Sequence, residues 1–299
     1  PTAENAATGI AIGATLQGMK VILTHQRVEF SLLSMEQIIN QAAKFYFLSN
    51  GKYKVSLVIR VMIGKGWGQG PQHSQSLETL FGHIPGLKVV SPSNAYDAKG
   101  ILNSSINSRH PVIFFEHRWL HNIKVNVPKK LYKVPIGKAN VLSKGKDLTI
   151  ISFSEALIQV LRLKQILLKS KISPEIIDLR SIRPLDKQTI LRSVKKTGKV
   201  LVVDNGWKTY GVGGEIISLL SENDLIQFKS KPIRLGIKEI PMPSARSLAK
   251  DVYLNQDKIL EAVSKITKKK INLRAKKQFE KKFLNEPTDV PYKDFKGPF

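Results

Sequence analysis

The residues best equipped for chemistry in this chain stand where apolar runs give way to polar ones. His73 lies in Pro71-Gln-His-Ser-Gln75, directly after a glycine-rich stretch, Gly64-Lys-Gly-Trp-Gly-Gln-Gly70. His25, Gln26, Arg27, Glu29 and Phe30 follow the short apolar run Val21–Leu23, and Glu116-His-Arg-Trp-Leu-His121 follows another that ends at Phe115. Glu4 stands just before a small-residue segment, Ala6–Leu16. Imidazoles and carboxylates can hold or move a proton near neutral pH once their surroundings tune them. Each also has a plainer reading: Glu4 as a helix-start acid favoured by the dipole, Phe30 as a core aromatic, His73 as a loop residue. The glycine-rich stretch matches neither GxxxxGK[ST] nor GxGxxG, so a flexible loop is its simplest reading. No GxSxG elbow and no HExxH pair occurs. With no cysteine in the chain, disulfides, thiolate zinc sites, iron–sulfur clusters and a cysteine nucleophile are excluded.

The elements that must carry these residues follow from periodicity. Val55–Ile63, Leu87–Val90 and Val112–Phe115 are apolar, β-branched runs that predict buried strands. Between them Asn94–Ser108 predicts a helix with Asn94 or Ser93 as its cap, and Met35–Ser49 predicts another upstream. Residues 124–146 lack periodicity and are assigned as a linker. A second alternating set follows: strands Leu148–Phe153, Glu175–Leu179, Lys199–Asp204 and Pro232–Ile237, with helices Ala156–Leu168, Asp186–Lys196 and Gly214–Ser221. Strands separated by helices of this length predict parallel βαβ units, hence an α/β fold of two doubly wound domains. The polar residues above then leave the carboxyl ends of successive strands, where open sheets of this kind place their crevice.

Composition limits the function classes further. The chain has 299 residues, which suits two domains. It lacks any run of 18 apolar residues, so no transmembrane helix is expected. Its 48 basic and 23 acidic residues give a formal charge of +25. Nine of the bases and one acid fall between Lys265 and Lys282, a density expected of a solvated or extended tail that wraps a partner or the domain surface. The remaining bases are scattered, without an aromatic RNA-binding signature, so neither nucleic acid nor membrane is an expected partner.

Several segments together carry a family resemblance: PTAENAATGI at 1–10, EQIINQAAK at 36–44, QHSQ at 72–75, HIPGLKVV at 83–90, DAKG at 97–100, DLRSIRPLD at 178–186 and GVGGEI at 211–216. With these the chain resembles the beta subunits of thiamine-diphosphate-dependent 2-oxo acid dehydrogenases of the pyruvate and branched-chain type. The resemblance implies a transketolase-like pyrimidine-binding domain at 1–123, lacking its usual N-terminal part, the linker at 124–146, a transketolase C-terminal domain at 147–267 and a basic tail at 268–299. It implies that Glu4 hydrogen-bonds the aminopyrimidine of thiamine diphosphate, that Phe30 packs on that ring with Gln26 beside it, and that His73 orients the substrate or lipoyl group and relays a proton. It further implies a structural potassium ion on main-chain groups around Leu57, Ser105, Ser108 and His110. The GDG…Asn diphosphate motif is missing, so Mg²⁺ is assigned to an alpha subunit in an α₂β₂ heterotetramer. The activity implied is oxidative decarboxylation of a 2-oxo acid with acyl transfer to a lipoyl-bearing acyltransferase. A cytoplasmic setting of bacterial type is expected, with mitochondria and plastids left open by the N-terminus. Pyruvate-type members commonly carry Glu where Thr24 stands, and apolar or aromatic residues near His25–Arg27. His25, Arg27 and His117–Trp119 therefore make this pocket more polar and basic, leaving a carboxylated or hydroxylated substrate as open as pyruvate. Two alternatives stand beside this reading: a subunit like transketolase or deoxyxylulose-phosphate synthase, which would act on sugar phosphates without a lipoyl acceptor, and a non-catalytic basic binding protein on the same fold, which would bind nucleic acid in a salt-sensitive way.

Overall fold

A computed structural model describes residues 2–283. The first half contains α1 (Glu4–Leu16), β1 (Val21–His25), α2 (Val28–Ser31), α3 (Ala43–Leu48), β2 (Leu57–Ile63), α4 (Glu78–Gly82), β3 (Lys88–Val90), α5 (Ala95–Ile106) and β4 (Val112–His117). The second contains β5 (Asn140–Ser143), β6 (Leu148–Ser152), α6 (Ser154–Lys169), β7 (Pro174–Asp178), β8 (Ser181–Arg183), α7 (Lys187–Thr197), β9 (Val200–Trp207), α8 (Val212–Ser221), β10 (Ile233–Ile237), α9 (Arg246–Ala249), α10 (Gln256–Thr267) and α11 (Leu273–Phe283).

Two five-stranded sheets result, in the orders β1-β2-β4-β3-β8 and β10-β9-β6-β7-β5. All neighbours are parallel except β8 on β3 and β5 on β7. The expected doubly wound architecture is present, with an antiparallel strand at one edge of each sheet. β2 shows why the pattern was strong: it is a near-continuous apolar run, as a strand covered on both faces must be. Asn94 caps α5 by accepting the Asp97 N–H at 2.9 Å, as its residue type predicts.

Three segments differ from expectation. The assigned linker contains β5, which closes the second sheet. The expected helix at 35–49 is irregular: a π turn at Gln37–Ala42 leads into α3. The basic segment does not stay extended at its start, because α11 places Ala275 and Phe279 on the core built around α6, while Arg274, Lys277 and Lys281 are exposed and Lys276 pairs with Asp257 at 2.7 Å. The remainder of that tail, 284–299, and Pro1 lie outside the described residues.

The two halves are stitched by polar contacts made from the motif segments. The Arg180 guanidinium crosses to Asp97 on α5, donating through Nε at 2.9 Å and Nη2 at 2.6 Å. Asp178 accepts from Ser93 Oγ and from the Arg180 N–H, each at 3.1 Å. Gly100 in the DAKG segment is required by packing: a Cβ there would stand 2.4 Å from Val134 and 2.8 Å from Tyr132.

Candidate functional site

Glu4 is half-buried in the first turn of α1, where the helix N-terminus favours a carboxylate. Four residues on, Thr8 Oγ1 donates to the Glu4 carbonyl at 2.7 Å and lies 3.5 Å from His25 Nε2, at the end of β1. Ser34 Oγ approaches the same nitrogen at 3.5 Å. His25 is buried, and loss of water lowers its pKa against the opposing pull of Glu4, so its imidazole is neutral at pH 7.

The chain then turns into the short helix α2, with Arg27 at its N-cap position. Phe30 on this turn meets His73 edge-to-face, with ring centroids 5.4 Å apart and planes at 83°. Glu29 Oε1 accepts the Gln75 N–H at 2.8 Å, tying the His73 loop to the same turn. Burial raises the Glu29 pKa, against that hydrogen bond and the charges of Arg27 and His73. Gln26 is exposed.

The glycine-rich stretch is a seam loop, fastened to the second half at several points. Lys65 pairs with Glu155 at 3.1 Å, the Gly66 N–H donates to Tyr253 Oη at 3.2 Å, and Gly70 has φ +68 with its α-carbon against Ser244. A Cβ on Gly70 would fall 2.6 Å from Ser244 Oγ. These fastenings set the path of the chain into His73. From the end of β4, Arg118 lies over the Trp67 ring at 5.0 Å, while His117 is buried and its pKa is driven down to about 3, chiefly by desolvation.

The structure thus brings Phe30 and His73 into contact and places Glu4 next to the same strand end through Thr8 and His25. Among the described residues no hydrogen bond or ring contact joins Glu4 directly to Phe30 or His73. Glu4 has no side-chain hydrogen bond there either, and Phe30 and His73 are half-buried. A half-buried carboxylate with unused acceptor capacity and a part-exposed aromatic ring suit a flat heteroaromatic group with ring-nitrogen and amino functions.

Two family models match the chain: the transketolase pyrimidine-binding domain over residues 1–123 and the transketolase C-terminal domain over 137–259. The pyruvate dehydrogenase E1 component subunit beta of Porphyra purpurea is 40% identical over 266 residues, 89% of this chain and 80% of the relative. The chain belongs to the beta-subunit family of 2-oxo acid dehydrogenases. The 2-oxoisovalerate dehydrogenase subunit beta of Bacillus subtilis is 38% identical, over 89% of this chain and 82% of its own length. A split-gene transketolase, solved as an inactive beta4 tetramer, shares the fold with a TM-score of 0.73 at 20% identity, over 89% of this chain and 82% of that one.

Hydrogen bonds engage three of the four residues expected to hold a potassium ion. Leu57 opens β2, and the Ser105 hydroxyl donates to Ile101 O at 2.8 Å. Ser108 O accepts from Ser56 Oγ at 3.0 Å, and His110 O accepts from Ser108 Oγ at 2.8 Å. The Lys88 ammonium stands 3.1 Å from Ser108 Oγ. No role is derived for potassium.

Residue types alone did not single out a buried carboxyl pair at the seam. Glu78 on α4 and Asp204 on β9 both line a large cleft of about 1180 Å³ bordered by residues of both halves. Burial, then Asp204, raises the Glu78 pKa to about 8, and burial raises Asp204 to about 6 against four backbone N–H groups. Glu78 stays protonated in the folded chain up to about pH 8, whereas its ordinary value is 4.5. Its contribution to stability is therefore present below pH 4.5 and lost as pH rises toward 8. Glu78→Gln is expected to flatten this decline by a few kcal/mol, on the order set by linkage, in urea unfolding compared at acidic and alkaline pH. An unchanged pH slope would show that Glu78 ionises freely in the fold.

Proposed function

We propose that this chain supplies the pyrimidine-side half of a thiamine diphosphate site, shared with an alpha subunit in an α₂β₂ assembly that oxidatively decarboxylates a 2-oxo acid and passes the acyl group to a lipoyl domain. The observation that carries this reading is the edge-to-face pair of Phe30 and His73 beside a helix-start carboxylate, Glu4, in a chain 40% identical to a pyruvate dehydrogenase beta subunit. When bound, the cofactor supplies an electron sink for the electrons released as carbon dioxide leaves. Glu4 would hold a ring nitrogen of the aminopyrimidine, Phe30 would cover one face of that ring, and Gln26 stands beside it at the surface. His25, neutral and buried, keeps a hydrogen-bonding wall of Thr8 and Ser34 behind Glu4. His73, steadied by Phe30 and by the Glu29–Gln75 bond, would donate or accept a proton at the substrate oxygen and orient the lipoyl sulfur. Mg²⁺ and the diphosphate would be held by the alpha subunit.

Reconstitution tests this directly. Co-purified with an alpha subunit carrying a GDG motif, the chain should bind thiamine diphosphate and acylate a lipoyl domain from a 2-oxo acid. His73→Ala should slow that acylation by about 10²–10⁴-fold, the usual range for a lost acid–base group, while the complex still assembles. Unchanged acylation would remove His73 from the mechanism. Turnover of sugar phosphates without a lipoyl acceptor would move the chain to the transketolase side of the fold.

A further inference from the structure

Two arginines leave the carboxyl ends of strands of the first sheet, β1 and β4. Arg27 leaves the end of β1 and is only 5% exposed, while Arg118 leaves the end of β4 and covers Trp67 at 5.0 Å. They lie close enough for the charge of Arg118 to depress the Arg27 pKa, which burial and this repulsion bring to about 10. Arg27 Nη2 donates to Gln69 Oε1 on the glycine-rich loop, whereas Nη1 is buried with no hydrogen-bond partner among the described residues. The adjacent acid does not fill that place: Glu29 gives Oε1 to the Gln75 N–H, and its Oε2 is itself buried without a hydrogen-bond partner among the described residues. Burying a guanidinium with an unused donor beside a second guanidinium is unfavourable in the free chain. The same arrangement is well suited to a planar or tetrahedral anion, which paired arginines grip by charge-assisted hydrogen bonds.

We propose that Arg27 and Arg118 form a subsite for a second anionic group at the far end of the substrate side chain, so that the preferred substrate is a 2-oxo acid ending in a carboxylate or phosphate rather than a short aliphatic one. The proposal rests on the 2-oxo acid decarboxylase reading above and names its substrate class. The reacting carboxylate is not the group held here. Decarboxylation must discharge that carboxylate, and a guanidinium pair on it would stabilise the ground state more than the transition state. Trp67, the ring of the glycine-rich loop that Arg118 covers, would give the intervening carbon chain an apolar wall.

The test uses the full chain with its alpha subunit, Mg²⁺ and thiamine diphosphate, and an artificial electron acceptor in place of the lipoyl domain. Pyruvate, 2-oxobutyrate, 2-oxoglutarate, 2-oxoadipate and 3-phosphohydroxypyruvate are compared by kcat/KM. The anionic side chains should be favoured by about 100-fold or more, a magnitude typical of a buried charge contact, and the three anionic substrates separate carboxylate from phosphate as the group read. Arg27→Gln and Arg118→Gln should each lower the anionic-to-neutral ratio by about 100-fold, mainly through KM, with Arg27→Lys retaining part of it. In the unaltered complex glutarate, but not butyrate, should compete with substrate, a readout that needs no variant to fold. Thiamine-dependent turnover that prefers pyruvate or 2-oxobutyrate overturns the subsite and leaves the decarboxylase reading standing. No turnover of any of the five overturns the subsite, and no binding of thiamine diphosphate by the complex overturns the decarboxylase reading as well. An unchanged ratio with weakened alpha-subunit binding would assign the arginines to the subunit interface instead.

Discussion

Glu4→Gln is expected to lower thiamine-dependent turnover of the assembled complex by about 10²–10⁴-fold, the range for removal of a positioned acid–base partner. The argument rests on what the substitution keeps. Gln has nearly the same shape, and the Thr8 hydroxyl bonds the backbone carbonyl of residue 4, not its side chain, so the local helix geometry is retained. What is lost is a full negative charge in the first turn of α1, within electrostatic reach of His25. A carboxylate accepts a hydrogen bond from a protonated ring nitrogen and stabilises that form, whereas a carboxamide oxygen is a weaker acceptor and its amide can bond the wrong tautomer. In the proposed site cofactor affinity should fall much less than turnover, because Phe30 would still cover the ring. Steady-state kinetics with a cofactor titration separates the two, and equal losses in both would reduce Glu4 to a binding residue. The His25 pKa offers a second readout. With the charge of Glu4 removed, the remaining desolvation should lower it further, in a direction visible by NMR titration.

How far the sequence disclosed this arrangement depends on the range of the interactions involved. The alternation of strand and helix was legible because β2, β4, β6 and β9 are apolar runs, a local pattern. β8 was not legible: Ser181–Arg183 is three residues long, and only its pairing with β3 in the other half makes it a strand. β5 was hidden for the same reason within a polar connection. In α11 the lysines masked a narrow apolar stripe, Ala275 and Phe279, whose meaning depends on α6. At the site, the types of Glu4, Phe30 and His73 were suggestive, but their roles came from the resemblance. The contacts of Arg118 with Trp67 and of Lys65 with Glu155 join residues far apart in the chain, so no spacing rule could reveal them. The glycine-rich loop carries a packing signal that its spacing alone does not reveal. Its glycines reflect close packing against Ser244 as well as freedom of the backbone.

Replacing Arg180 by Met should destabilise the fold by about 3–5 kcal/mol, the cost of breaking a buried ion pair from one side. Asp97 is 1% exposed and receives two charge-assisted bonds from Arg180, so their loss leaves a buried carboxylate near Asp178 with, among the described residues, Asn94 alone donating to its side chain. Burial and the charge of Asp97 already raise the Asp178 pKa to about 7, and its Oδ2 has no hydrogen-bond partner among the described residues. Without the guanidinium Asp178 should hold its proton to higher pH in the folded chain. A raised folded pKa gives stability that is present at low pH and lost as pH rises, so the variant should be weakest at alkaline pH and recover in part below about pH 7. Adding Asp97→Asn should rescue Arg180→Met, since it removes the stranded charge and keeps the Asn94 contact available. Urea unfolding of the two single variants and the double variant, each at pH 5 and 8, reads these outcomes. A loss below about 1 kcal/mol, as for an exposed pair, would show that the pair is solvated and does not clamp the halves. The consequence would reach the site because Arg180 directly precedes β8, the strand that the second half lends to the first sheet. Loosening that strand relaxes the seam on which Lys65, Gly66 and Gly70 are fastened, and with it the path of the loop that delivers His73 to Phe30.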